Sequence, residues 1–266
     1  MPPISDVTRH LLIINVILYL AGFVMDTHML ALYFPMYNGF QPFQILTHMF
    51  MHGGFIHLFF NMFALVSFGS LLETVWGPKR FMIFYFICGL GAMLLQLSVT
   101  YFEIHKALDA VAHLNLSKET IGQILNVKFD DHHQFRGDLF SKEIMPILQN
   151  LGIDKNVSQA DFNSLFGAAA TAQQSMVGAS GAIYGLLAAF AILFPEAPIA
   201  LMFIPIPMKA KYIVPLFIIL EFILGKGSFS GDNVAHFAHI GGALTGLIIL
   251  LIWRKQGLGN NRGRWN

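Results

Sequence analysis

Six stretches of this chain are almost unbroken apolar sequence, at about 8–28, 52–72, 80–101, 177–194, 199–224 and 234–253. A helix needs about 20 apolar residues to cross a hydrocarbon core roughly 30 Å thick, and only a helix or a closed barrel crosses with every backbone group satisfied. Runs of this length and spacing predict an all-α polytopic membrane protein with six transmembrane helices. Composition agrees: 12% of residues are charged, against roughly 25% in a soluble domain, and the mean hydropathy is +0.61. A net charge of +1 and a single cysteine exclude a basic nucleic-acid surface and a disulfide scaffold. Cys88 lies within an apolar run and reads as packing. The first run is too long for a cleaved signal peptide, has no Ala-x-Ala-like site and reads as a signal anchor. The fifth is the weakest, because Pro205, Pro207, Lys209 and Lys211 interrupt it; its helix should begin between Pro207 and Tyr212 and be short.

The charges are clustered as well as few. Nine acids, from Glu103 to Asp161, and six bases, from Lys106 to Lys155, fall within residues 102–172. The organisation expected is a core of helices 1–3 over 1–101, a helical insert over 102–172, a core of helices 4–6 over 173–255, and a tail over 256–266. Placing Arg9, Lys79, Arg80, Lys209, Lys211, Arg254, Lys255, Arg262 and Arg264 on one side leaves only Lys226 in the opposite short loops. Basic residues of short loops stay cytoplasmic, so both termini are expected inside and the insert outside, in a bacterial inner membrane. Within the insert, Glu103–Leu114 and Asp138–Leu151 are patterned as helices, with turns at Asp130-Asp131 and Leu151-Gly152. His132 and His133 with Asp130 or Asp131 do not make a convincing metal site, because adjacent side chains point apart.

Polar groups inside a span are costly unless paired, and so they mark function. Three clusters stand out, each opening an apolar run: His48 to Asn61 in the second, Val177 to Gly185 in the fourth, and His236 to Gly246 in the sixth. In the topology above, all three lie at one depth. Ser180, expected about four residues inside its helix, has the positive end of the helix dipole beside it. Tyr184 shares its face at i+4, and Gly178, Gly181 and Gly185 allow a neighbouring helix to come close. A serine needs a base to become a nucleophile. His239, about five residues into the sixth run, lies at nearly the same depth, and Gly242-x-x-x-Gly246 on the same helix permits close approach. His236 is the competitor, and is set aside because it lies nearer water. His57 and Asn61, at i and i+4, can both donate to an oxyanion. No aspartate is placed to orient His239, since Asp232 falls in a loop, so the expected arrangement is a Ser–His dyad.

Plainer roles are assigned elsewhere. His48 and His52 at i, i+4 lack a third metal ligand, Glu73 should cap or pair with a helix end, and Glu221 should be paired within the bundle or reach an interface. A transporter using histidines as a relay would show paired charges near the midplane and internal repeats, which this chain does not display.

These residues resemble those of the rhomboid family of intramembrane serine proteases. His48, His52, His57 and Asn61 have the family's His-x-x-x-His-x-x-x-x-His-x-x-x-Asn spacing; Gly178-Ala179-Ser180-Gly181 and Tyr184 match its nucleophile motif; Ala238-His239-Ile240-Gly241-Gly242 with Gly246 matches its histidine motif. The resemblance covers residues 1–101 and 173–255. It implies a six-helix bundle with Ser180 as nucleophile and His239 as general base. It also implies His57, Asn61 and the Ser180 N–H at the oxyanion, and Tyr184 packed on the His239 ring. Gly178, Gly181, Gly242, Gly246 and His52 are implied as supporting residues. It further implies single-span membrane proteins as substrates, entering past the second and fifth helices, the bilayer as solvent, no nucleic acid, and no cofactor or metal. The rival within the family is a silent binder of transmembrane clients, which would have lost the serine or the histidine; both Ser180 and His239 are present. Two departures are visible: Phe43-Gln44 replaces the Trp-Arg often found before the histidine run, and the insert is long where many members have a short loop. The insert is expected to cover the outer mouth or screen substrates.

Overall fold

The computed structural model describes residues 4–131, 134–201, 204–226 and 234–255. His132, His133, Asp232 and the tail from 256 onward lie outside the described residues. The chain forms two compact units, one of Met1–Leu30, Ile45–Gln96 and Val177–Asn266, the other of Ala31–Gln44 and Leu97–Met176.

In the first unit, every expected apolar run contains a helix. These are α1 (Asp6–Ala21), α2 (Phe55–Trp76), α3 (Pro78–Asp109, continuing into the second unit), α7 (Ser180–Leu193), α8 (Ala210–Lys226) and α9 (His236–Lys255). Three of them, α2, α3 and α9, are long and apolar enough to cross a membrane, and α7 is a shorter apolar helix. The chain is thus a mostly helical integral membrane protein.

Glu73, on α2, holds the start of α1. Its carboxylate accepts hydrogen bonds from Ser5 Oγ (2.5 Å) and from Val7 N, Thr8 N and Thr8 Oγ1 (each 2.9 Å). Those backbone N–H groups belong to the first turn of α1, which has no intrahelical partners for them, and an acidic group there also suits the helix dipole. The expected capping role of Glu73 is therefore what the structure contains.

The fifth apolar run is divided. Its first part forms a hairpin of β3 (Pro198–Leu201) and β4 (Ile204–Lys209), and α8 starts at Ala210, inside the expected window. Proline is tolerated in a two-stranded ribbon because each strand has an unpaired edge. Lys209 and Lys211, which break the run, both pair with Glu196 (2.8 Å for Lys209) and hold its carboxyl at about 2.

Close backbone packing joins α7 to α9. A methyl group added at Gly242 would fall 1.8 Å from the Gly181 carbonyl oxygen, and one at Gly246 would fall 2.8 Å from that of Gly185. Cys88 is fully buried beside Gly185, in keeping with a packing role.

The second unit has the logic of a soluble domain. Helices α4 (Lys118–Leu125), α5 (Gly137–Asn150) and α6 (Gln159–Gln173) enclose Phe129, Phe140, Ile144 and Leu165. Ser117 Oγ caps α4 by accepting from Thr120 N at 3.1 Å, and Ser158 with Asp161 makes a reciprocal capping box on α6. Asp130 and Asp131, expected as a turn, form β1 paired with β2 (Gln134–Phe135), so two small hairpins interrupt the all-helical expectation. Gly152 takes φ +70° after α5, where the turn was placed. The unit also takes in Ala31–Gln44, where Gln44 Nε2 donates to the Gly39 carbonyl at 2.9 Å and so anchors the loop at the position of the missing Trp-Arg.

Candidate active site

Ser180 is the first residue of α7, not the fourth. The segment Val177–Ala179 is not helical: Gly178 has φ +126°, a conformation that side-chain-bearing residues rarely adopt, and its N–H donates to the His48 carbonyl at 2.9 Å. This turn places the serine at the helix mouth, where the first backbone N–H groups have no intrahelical acceptor. The shorter helix brings the positive end of the dipole nearer to Ser180 than its expected depth would.

His239 is the fourth residue of α9. Its Nε2 lies 2.8 Å from Ser180 Oγ. The Tyr184 ring, one helical turn beyond the serine, stacks on the imidazole with centroids 4.3 Å apart and planes 5° from parallel. The Gly242 contact that lets α9 meet α7 lies on the next turn, so the helix approach and the Ser–His distance have one cause.

On the remaining side, His57 and Asn61 occupy the first two turns of α2. A methyl group at Gly178 would lie 3.0 Å from His57 Nε2 and 3.5 Å from Ser180 Oγ, so the imidazole and the hydroxyl border the same point. Gly53 N–H approaches His57 Nδ1 at 3.4 Å. With Nδ1 accepting, the neutral ring carries its proton on Nε2, the atom that borders Gly178. Asn61 Nδ2 donates to the His57 carbonyl at 3.0 Å, and the amide has a second N–H.

His52 is buried with its ring centroid 5.0 Å from that of His57. His48 and His52, four apart in sequence, do not share a helix. Residues 48–50 form a 3₁₀ turn, 51–54 are not helical, and α2 begins only at Phe55.

One residue of the site was not anticipated in its role. Glu221, on α8, receives the Tyr184 hydroxyl on Oε1, while its Oε2 lies 2.5 Å from His236 Nδ1 and 3.0 Å from His239 Nδ1. The last contact is close but poorly aligned, and among the described residues His239 Nδ1 has no well-directed hydrogen bond. His236 is therefore turned to Glu221, and His239 is the histidine on Ser180. Glu221, His236 and His239 bring ligand atoms within 4.8 Å of one another, a set that could hold a metal ion. Separations of 2.5 and 3.0 Å to one oxygen are distances for sharing a proton. Tetrahedral ligands about 2.0 Å from zinc lie farther apart, at about 3.3 Å.

The fold and this cluster define a class: a polytopic helical membrane protein with a serine and a histidine in contact at the mouths of two packed helices. The profile of the rhomboid domain matches residues 39–105 and 153–256, and the chain belongs to the rhomboid family. The match starts later than the resemblance drawn from the motifs and takes in 153–172, which that resemblance left out. An uncharacterized mitochondrial rhomboid protein of Schizosaccharomyces pombe is 26% identical over 244 residues, covering 88% of this chain and 57% of the relative. Rhomboid protease GluP of Bacillus subtilis is 27% identical over 154 residues, 58% of this chain and 27% of that protein. RHOMBOID-like protein 6, mitochondrial, of Arabidopsis thaliana is 39% identical over 59 residues, 22% of this chain and 19% of the relative. The chain thus spans little more than half the length of the first of these and about a quarter of the second.

Proposed function

We propose that this chain is an intramembrane serine endopeptidase that cuts transmembrane segments of single-span membrane proteins, using Ser180 as nucleophile and His239 as general base. The observation that carries this reading is the 2.8 Å contact between His239 Nε2 and Ser180 Oγ at the start of a helix. As Oγ bonds to the scissile carbonyl carbon, its proton passes to His239 Nε2, and the carbonyl π electrons become an oxyanion. His57 Nε2–H, Asn61 and the first N–H groups of α7 are the donors for that charge, and such donors are commonly worth a few kcal/mol each in the transition state. His239 then protonates the leaving amine, and water releases the acyl group from Ser180 by the same steps in reverse order. No cofactor enters this sequence.

The six apolar helices form the bundle, with both termini cytoplasmic on the strength of the Lys/Arg asymmetry of the short loops. The protein is integral to the membrane in this orientation. The relatives are mitochondrial as well as bacterial, so the expected bacterial inner membrane is not assigned. Residues 102–172 screen substrates on the outer side; replacing 103–172 by a short linker should alter cleavage rate and substrate choice, and an unchanged profile would remove that role.

The test is cleavage of a single-span reporter by the purified protein in detergent or liposomes, beside S180A and H239A. The parent should cut and both variants should be inactive. A silent client-binding protein would bind the reporter equally in all three and cut it in none.

A further inference from the structure

A histidine that takes a proton on Nε2 must already carry one on Nδ1, and a buried N–H without an acceptor is costly. The side chain of His239 is 11% exposed, and its Nδ1 faces Glu221 Oε2 at 3.0 Å. That carboxylate is itself held in place: Tyr184 donates to Oε1, and His236 Nδ1 shares Oε2 at 2.5 Å. Each of the four groups has a definite part. The serine comes from α7, the base from α9, and the carboxylate from α8, while Tyr184 both stacks on the base and fixes the acid.

We propose that Glu221 is a positioning residue for the proteolytic reaction, turning the Ser180–His239 pair into a Ser–His–Glu chain; the inference rests on the protease reading above. The carboxylate selects the tautomer of His239 with hydrogen on Nδ1 and the lone pair of Nε2 directed at Ser180. It also stabilises the imidazolium formed when the serine proton arrives. The Nδ1 proton stays on His239 throughout, so no proton is transferred to Glu221. The misalignment at Nδ1 is the kind that closes when substrate drives the base into its charged form. His236, three residues before the base, belongs to this device as the second donor on Oε2 and is not a rival base. Since the carboxylate is carried by α8, a displacement of that helix would withdraw the orienting group while leaving Ser180 and His239 in place.

The experiment compares kcat and KM of the parent, E221Q, E221D and E221M on the single-span reporter, each normalised to the fraction that elutes as folded protein in detergent. E221M adds no polar atom of its own, although it removes the acceptor of the Tyr184 hydroxyl, and so serves as a second probe where the amide of E221Q disturbs folding. For E221Q and E221M the expected result is a loss of kcat of about 100-fold with KM within about twofold. E221D should restore most of the loss, because a carboxylate on a shorter stem still reaches an imidazole N–H. A residue acting only in helix packing would not be rescued by charge and would lower the folded fraction rather than kcat. If folded E221Q or E221M keeps the parental kcat while S180A and H239A are inactive, Glu221 has no positioning role and the protease reading stands. If S180A itself cleaves, the protease reading fails instead.

Discussion

The two units of this chain both bury large side chains, but their helices are joined and ended differently. In the membrane unit, α9 meets α7 backbone on backbone, with Gly242 against the Gly181 carbonyl, while Ile17, Leu20, Phe55, Ile56, Leu94 and Ile248 are exposed. In the second unit, Phe129 and Phe140 are fully buried at the centre of an aromatic cluster with Phe162 and Phe166, and the helix ends are closed by Ser117, Ser158 and Asp161. The contrast follows from the solvent. Lipid is as apolar as leucine, so the large side chains that turn inward, Phe81, Phe84 and Tyr85 among them, gain packing rather than escape from water, and helices can associate through small residues that let backbones meet. In water the same side chains are driven into a core, and polar helix ends need caps. The site grows out of the first kind of packing, since the glycine contact that joins α7 and α9 also sets the distance between Ser180 and His239.

The sharpest way to break this contrast is to add side-chain volume where backbones touch. G242L should abolish both reporter cleavage and recovery of folded protein, because even a methyl carbon there falls 1.8 Å from the Gly181 oxygen. A folded, active G242L read by size-exclusion chromatography and reporter cleavage would show that close helix approach does not hold the site. Removing volume from the aromatic core comes next. F140A should cost about 3–5 kcal/mol by the usual scale for large-to-small core changes, seen as a lowered unfolding transition of the second unit by hydrogen exchange. A cost within 0.5 kcal/mol, a surface-like value, would mean that this core does not organise the unit.

Smaller effects probe the caps. S158A should cost about 1 kcal/mol and increase amide exchange in the first turn of α6. Its partner Asp161 gives a pH signature. Hydrogen bonds from the Ser158 side chain and backbone, with His113 nearby, hold the Asp161 carboxyl below its usual 3.8. A carboxyl lowered on folding stabilises the folded state above its unfolded value and loses that contribution as pH falls through the folded one. Exchange in α6 should therefore be insensitive to Asp161 from neutral pH down to about 4 and rise only below it, and D161N should remove this acid dependence. The smallest effect is expected at Gly167, inside α6, where an added methyl group meets nothing within 4 Å. G167A should be neutral or stabilising by up to about 1 kcal/mol, opposite in sign to G242L although both are glycines within helices.

Much of this was legible in the chain. The apolar runs locate the six helices, and the depth argument brings Ser180, His239 and His57 together because helix rise converts sequence position into height. Local starts were harder to read. The fourth and second runs begin helical structure only at Ser180 and Phe55, since Gly178 adopts a left-handed φ and residues 51–54 leave the helical path. The hairpin in the fifth run was hidden because its apolar residues suit a strand as well as a helix. Glu221 was conspicuous as an acid in an apolar run, yet its partners depend on the register of α8 against α7 and α9, which no local pattern encodes. The recruitment of Ala31–Gln44 into the second unit is non-local in the same way.

The central claim is that His239 makes Ser180 a nucleophile, and a fluorophosphonate probe tests it without any assumption about substrate. The parent should form a covalent adduct that peptide mapping places on Ser180, while folded H239A and S180A should remain unlabelled. Equal labelling of Ser180 in the parent and in H239A, or labelling of the parent at a residue other than Ser180, would contradict the account.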